Sequence, residues 1–359
     1  MAIERISGEC RVMFAFEAGF AIDLARAESR LPASAREALP KSRRVPAESD
    51  FTQKPLRIAL ERSTHAIDGF TSAALVETTI YDFGAISVTF RIPFDGEIAK
   101  LAVLAAALWN NRALAAAARA SVEETLVTLG DTVTRPDLRA AAEDFVVFVV
   151  DPASCGGAAL AVESFGAARL AALLRLEDKP LSAEEIADAV QSPFSYSPHD
   201  LVLVDWAAAL VVDAEPAATL AVLEHANVQL AELKHLDNEL DRGLDQVWAM
   251  LNDRSLFRPF RLRANPRKLA ELELEGAALF DSVTNALKLF GDQHLARVQR
   301  AAGRRFRIDD WEQSVSRKLA TLGSISERLE ARQSQYRSEL LEWIIIALIA
   351  FEIVQALWR

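Results

Sequence analysis

The densest set of side chains able to bind a metal or move a proton lies in LEHANVQLAELKHLDNELDR, residues 223–242. Glu232 and His235 form an ExxH pair, a spacing that puts a carboxylate and an imidazole on one helix face. Carboxylate-bridged di-metal bundles need that pair on two helices, and the sequence offers it once. His235 and Glu239, four apart, would hold a single metal with a third ligand that the sequence does not name. The competing reading is a solvated helix face laced by pairs at i, i+4. It asks for no ligand, and no cofactor is expected.

Nucleophilic chemistry has less to start from. VESFG at 162–166 has Val162 where a nucleophile elbow needs glycine. SPHD at 197–200 puts His199 beside Asp200 with no nucleophile to complete a triad. Gly156 and Gly157 read as a turn. AspPheGly at 82–84 lacks a kinase catalytic loop and a Gly-rich loop upstream, and reads as a bend between strands. No phosphate-binding fingerprint of either common kind occurs. The expectation is a non-enzymatic protein, with a metal-dependent enzyme built on the 224–241 helix as the alternative.

Two further groups could carry binding. Arg254, Arg258, Arg261, Arg263, Arg267 and Lys268, then Arg297, Arg300, Arg304, Arg305 and Arg307, make residues 254–307 a basic insert in a chain of net charge −11. Arginine forms bidentate contacts with phosphate, so Arg300, Arg304, Arg305 and Arg307 are candidates for RNA, a ribosome surface or lipid headgroups. The bland reading pairs these arginines with neighbouring acidic helices.

The other group is the longest apolar run in the chain, LLEWIIIALIAFEIVQALWR, residues 340–359. Leu340, Trp343, Ile344, Ile345, Ile346, Leu348, Ile349, Phe351, Ile353, Val354 and Trp358 supply its apolar character. As a helix, Leu340 to Trp358 would cover about 28 Å, close to the ~30 Å hydrocarbon core of a bilayer. Trp343 and Trp358 lie where interfacial tryptophans belong. Glu352 opposes insertion by up to about 2.5–3.5 kcal/mol, and each Ile, Leu or Phe returns roughly 0.3–0.6 kcal/mol, so entry comes out marginally favourable. Glu342, Glu352 and Gln355 fall in one sector of about 140°, the face expected to meet another helix. A membrane span and a helix buried in a soluble oligomer both fit.

The elements that must position these groups follow from periodicity. Hydrophobic residues make up 51% and charged residues 25% of the chain, which suits a folded protein rather than a disordered one. Cys10 and Cys155 are too few for a disulfide framework. Acids at 4, 9, 17 and 23 argue against a leader peptide, so the bulk of the chain is expected in the cytoplasm. RVMFAFEAGFAI (11–22) reads as a strand, and residues 31–55, with prolines at 32, 40, 46 and 55, as a loop around a short helix near Ala35. ALVETTIYDFGAISVTFRIP (74–93) reads as two strands about a tight bend, and 95–129 as helix. A helical stretch after Pro136 should lead into a buried strand at 143–150. Helices at 163–176 and from Ser182, capped with Glu185, precede strands in 194–213. This makes residues 1–215 an α+β domain.

Residues 216–339 read as coiled-coil helices. One seam runs Leu223, Leu230, Asp237, Leu244, Leu251 with Ala226, Leu233, Leu240, Val247; another runs Val315, Leu322, Leu329, Tyr336, Trp343 with Leu319 and Leu340. Such helices suit an antiparallel hairpin or a homo-oligomer.

LEWIIIALIAFEIV (341–354), with EHANVQLAELKHLD (224–237), RRFRIDDWEQSVSRKLATL (304–322) and YDFGAISVTF (81–90), resembles the YagE, or required-for-meiotic-nuclear-division, family. The resemblance implies an α/β domain, long helices and a terminal membrane segment. It further implies a link to translation of organelle-encoded membrane proteins, and it brings no catalytic residues. The reading that results is a tail-anchored membrane scaffold or assembly factor, linked to translation or membrane-protein biogenesis. It would reach a membrane through residues 340–359, self-associate through its helices, and touch a ribosome or RNA through the insert.

Overall fold

The computed structural model of the chain describes residues 5–32, 36–37, 54–155, 165–252, 265–285 and 293–358, with side chains at 36–37, 247, 249–252, 265–269, 285, 329–340, 352, 356 and 357 outside the description. The expected loop at 31–55, most of VESFG, Gly156, Gly157 and the first half of the basic insert therefore lie largely outside the described residues. The fold is α+β.

Apolar runs between Arg5 and Val212 build, among the described residues, one eight-stranded mixed sheet. Its strands are β1 (Arg5–Glu17), β3 (Arg36–Glu37), β4 (Leu56–Glu61), β7 (Leu75–Ile80), β8 (Ala85–Glu97), β10 (Glu143–Val150), β11 (Leu201–Val204) and β12 (Ala208–Val212), in the order β11-β12-β10-β1-β8-β7-β4-β3. Two-stranded pairs join β2 (Gly19–Ile22) to β9 (Val133–Pro136), and β5 (Ala66–Ile67) to β6 (Phe70–Thr71). β1 is central, pairing antiparallel with β8 along its whole length and with β10 on its other side. β10 and β12 run parallel. The bend at Asp82–Gly84 joins β7 to β8 in the expected hairpin, with Ile80 opposite Ile86.

One sheet face carries the apolar core. Val12, Phe14 and Phe16 of β1 meet Val88, Phe90 and Ile92 of β8 and Val146 and Phe148 of β10. Helices α2 (Ile98–Leu108), α3 (Arg112–Leu129) and α4 (Ala167–Arg175) close over them through Leu101, Leu104, Leu108, Leu114, Val122, Leu170 and Leu174. A short helix, α1 (Leu24–Arg30), starts at Asp23, whose side chain accepts the Arg26 N–H. The helix expected over 95–129 is two helices. Asn110 takes a φ of 50°, and Asn111 caps α3 by accepting the Leu114 N–H at 3.0 Å. No helix forms after Pro136, because Asp137 takes the Arg139 N–H and folds a local turn instead. Helix α5 (Ala183–Ala189) begins as expected, with Ser182 Oγ accepting the Glu185 N–H.

Among the described residues four helices follow: α6 (Ala217–Asn252), α7 (Asn265–Asn285), α8 (Gln293–Phe306) and α9 (Ile308–Leu357). The chain divides into two compact units. The first holds Met1–His235 and Asp281–Trp311, so the first half of α6 and all of α8 lie with the sheet. The second holds Leu236–Phe280 and Glu312–Arg359.

The coiled-coil reading of α6 is corrected by burial. Every residue from Val222 to Leu233 is buried, whereas a two-stranded coil would leave its outer positions in water. This half of α6 is a central helix. In the second unit Leu236 and Leu240 of α6, Gly276 of α7 and Leu319 of α9 come together, and a methyl added at Gly276 would stand 3.0 Å from Leu319 Cδ2. Asp237, the acid in the expected seam, is paired with Lys318 Nζ at 2.8 Å and accepts the Ser314 hydroxyl. Val315 and Leu322 are buried, while Leu329, Tyr336, Val247 and Leu251 lie outside the described side chains.

Candidate functional site

The second sheet face is unlike the first. Glu9 and Arg11 of β1, Arg91 of β8, Glu77 of β7 and Arg57 of β4 project from it, and Glu224 reaches them from α6. Arg11 and Arg91 stand directly opposite each other in the register. Two like charges there would repel, but Glu9 bridges them, taking Arg11 Nε at 2.6 Å and Arg91 Nη2 at 2.7 Å. Arg11 also donates to Glu77 at 2.6 Å, and Arg57 to Glu224 at 2.6 Å. Burial works against ionisation of Glu9, yet Arg11 and Arg91 outweigh it and hold its carboxyl below the ordinary range. The layer carries three positive and three negative charges, so it offers no excess positive charge to a phosphate. What it does is fix the position of a buried helix.

The rest of α6 in this unit continues in the same manner. The His225 ring lies 5.9 Å from Tyr81, and its burial lowers its pKa to about 4. Asn227 Nδ2 donates to the Glu143 carbonyl at 3.0 Å, and Lys234 Nζ reaches the Glu143 carboxylate at 2.7 Å. Glu232 meets Glu17, the last residue of β1, and His235 Nε2 lies 3.4 Å from Glu17 Oε2. Burial first, then the neighbouring Glu17 carboxyl, raises the Glu232 pKa well above its ordinary value.

The residues singled out from sequence are therefore partly brought together. Glu232 and His235 share a face as expected, and the third member of their cluster is Glu17. Glu239 is paired with Arg242 at 2.5 Å instead. Among the described residues no group of three or more His, Cys, Asp and Glu is placed to hold a metal ion. At SPHD, Asp200 accepts the backbone N–H groups of Tyr196 and Ser197 and the Ser197 hydroxyl, while His199 is exposed. That is a turn held by its own aspartate.

The arginines divide likewise. Arg305 bonds the Asp188 carboxylate at 2.8 Å and its carbonyl, and lies 3.5 Å from the buried Asp205. Asp205 also takes Arg175 Nε. Burial pushes its carboxyl up against these bonds. Arg307 bonds Asp310 at 2.6 Å. Arg300 bonds the Ala296 carbonyl along its own helix, and both Arg300 and Arg304 are exposed.

The apolar end of α9 is described at Leu341–Phe351, Ile353–Gln355 and Trp358; Leu340 and Glu352 lie outside the described side chains. Eleven large apolar side chains between Leu341 and Trp358 stand 46–91% exposed. The described stretch is interrupted at 352 and at 356–357, and among the described residues no single helix is long and apolar enough to cross a membrane. α2 and α3 together have the length and apolar character of a span bent by 64°, but their apolar faces are the core already described.

Residues 7–218 match the family described as uncharacterized protein MJ0711, N-terminal domain. The match takes in well over half of the chain. The chain belongs to this family. Within the MJ0711 family, the uncharacterized protein MJ0711 of Methanocaldococcus jannaschii is 26% identical over 190 residues, covering 52% of this chain and 58% of the relative. The chain thus aligns with less than two thirds of that relative's length. No solved structure matches.

Membership in the MJ0711 family overturns the resemblance to YagE, which is a different family. Three of the four stretches that suggested YagE lie in α6, α8 and α9, beyond residue 218, where helical spacing and an apolar tail are shared by many unrelated chains. The fourth is a strand pair whose glycine is required by the bend. With that resemblance goes the implied role in organelle translation. The family match contains Glu9, Arg11, Glu17, Arg57, Glu77 and Arg91 and stops near the start of α6, before Glu224 and Glu232.

Proposed function

We propose that this chain is a non-enzymatic, membrane-anchored scaffold that enters the bilayer with the apolar end of α9. The observation that carries the reading is exposure around the whole helix. Trp343, Ile344, Ile345 and Ile346 are successive, so at 100° per residue they point to every side, and each is about half exposed or more. A partner helix covers a stripe; a ring of apolar side chains calls for an apolar solvent. Glu342, Gln355 and helix position 352 share one sector, which we read as the line along which two copies meet within the membrane. A contact with RNA has less support, because Arg305 and Arg307 are engaged by carboxylates.

Fractionation tests the reading. Full-length chain should sediment with membranes, resist salt and alkaline washing, and come off in detergent. Recovery of the intact chain in the detergent-free soluble fraction would sink it and favour a soluble oligomer whose α9 helices pack together.

A further inference from the structure

Neither oxygen of the buried Glu232 carboxyl meets an N–H or hydroxyl donor. The Glu17 carboxyl is its neighbour, 3.4 Å from the His235 ring that lies one turn further along α6. Two carboxylates have no hydrogen between them, and two negative charges in a dry site repel. One proton held between them removes both penalties at once. The pair also occupies a particular place. Glu17 ends β1, the central strand, and Glu232 lies one turn before His235, where α6 leaves the first unit. We propose that Glu17 and Glu232 form a proton-sharing latch, which holds the exit turn of α6 on the end of β1 and opens when the shared proton is lost.

The surrounding charges fit a latch that turns on this one proton. His235 Nε2 faces Glu17 from α6 at 3.4 Å. Asp137, after β9, senses His235 but is held by Arg139. Lys234 turns to Glu143 on β10 and so does not neutralise the pair, and Asp144, next to it on β10, feels Lys234 as well. Burial first, then Glu17, sets the direction in which Glu232 is shifted.

The sign follows from the direction of the shift. The folded chain keeps on Glu232 a proton that the unfolded chain releases near the ordinary carboxyl value. The stabilisation is therefore complete in acid and is lost as pH rises through the folded pKa, after which opening grows tenfold per pH unit.

Two measurements on the full chain in detergent test this. Infrared difference spectra should show the C=O stretch of a buried carboxylic acid at neutral pH, absent in Glu232→Gln, whose amide N–H donates to Glu17 and does not titrate. Hydrogen exchange of the α6 amides around 228–235, corrected for intrinsic rates, should lose protection tenfold per pH unit once the acid band has gone. In Glu232→Gln it should stay flat. Absence of the acid band in the wild-type chain overturns the latch, as does a Glu232→Gln chain that keeps the wild-type pH dependence. If Glu232→Gln fails to fold, Glu17→Gln is read for the same two signals, and the wild-type spectrum decides alone.

Discussion

A single imidazole should shape the acid limb of this protein's stability. His225 is buried beside Tyr81, and burial lowers its pKa from 6.5 to about 4. The folded chain thus refuses a proton that the unfolded chain accepts. Its contribution is fully present above pH 6.5 and is lost as pH falls toward about 4, amounting to roughly 3 kcal/mol at 1.36 kcal/mol per unit. Thermal unfolding followed from pH 7 to pH 4 should show a steeper fall for the wild-type chain than for His225→Gln; parallel curves would remove His225 from the account. Residues of this kind were half legible in sequence. The ExxH spacing placed Glu232 and His235 on one face without any structure. Glu17 was invisible as their neighbour, because it reaches them only when β1 lies under α6. Asp237 likewise looked like a flaw in a heptad seam until Lys318 came to it from α9.

At the scale of elements, local chemistry was the most readable and burial the least. The strands about Asp82–Gly84 and the Ser182 cap follow from residues a few positions apart. The burial of α6 from Val222 to Leu233 does not, since Glu224, Asn227, Gln229 and Glu232 read as a wet face. Glu224, Asn227 and Glu232 are tolerated inside because β4, β10 and β1 bring them Arg57, the Glu143 carbonyl and Glu17, and Gln229 because Gln299 of α8 donates to it at 3.4 Å. The hairpin yields a prediction. Gly84 has a φ of +98°, and a methyl there would stand 1.7 Å from the Gly19 carbonyl oxygen, which belongs to backbone and has nowhere to go. Gly69 has a φ of +88° with nothing within 4 Å of the added methyl. Gly69→Ala should cost backbone strain alone, about 1–3 kcal/mol, and lower the unfolding midpoint by several degrees. Gly84→Ala adds the collision and should cost clearly more, or prevent folding. Equal midpoints for the two variants would show that the β7–β8 bend gives way more easily than its contacts imply.

At the scale of the whole molecule the open choice is between a bilayer and a second copy as the cover for α9, and two arginines can make it. Eleven Leu, Ile, Phe and Val residues between Leu340 and Trp358 return about 0.3–0.6 kcal/mol each on insertion, or about 5 kcal/mol together. An arginine near the centre of the span costs about 2.5–3.5 kcal/mol, so Ile345→Arg with Ile349→Arg cancels the gain. Positions 345 and 349 are one turn apart and about half exposed, so both changes bear on whatever covers the helix. If the bilayer covers α9, the double variant should leave the membrane fraction while the sheet unit keeps its hydrogen-exchange protection. If copies of α9 cover one another in water, the wild-type chain is soluble from the outset and the double variant falls from oligomer to monomer in a sizing experiment. A double variant that stays in the membrane fraction contradicts both covers, and it would move the anchor to some other part of the chain.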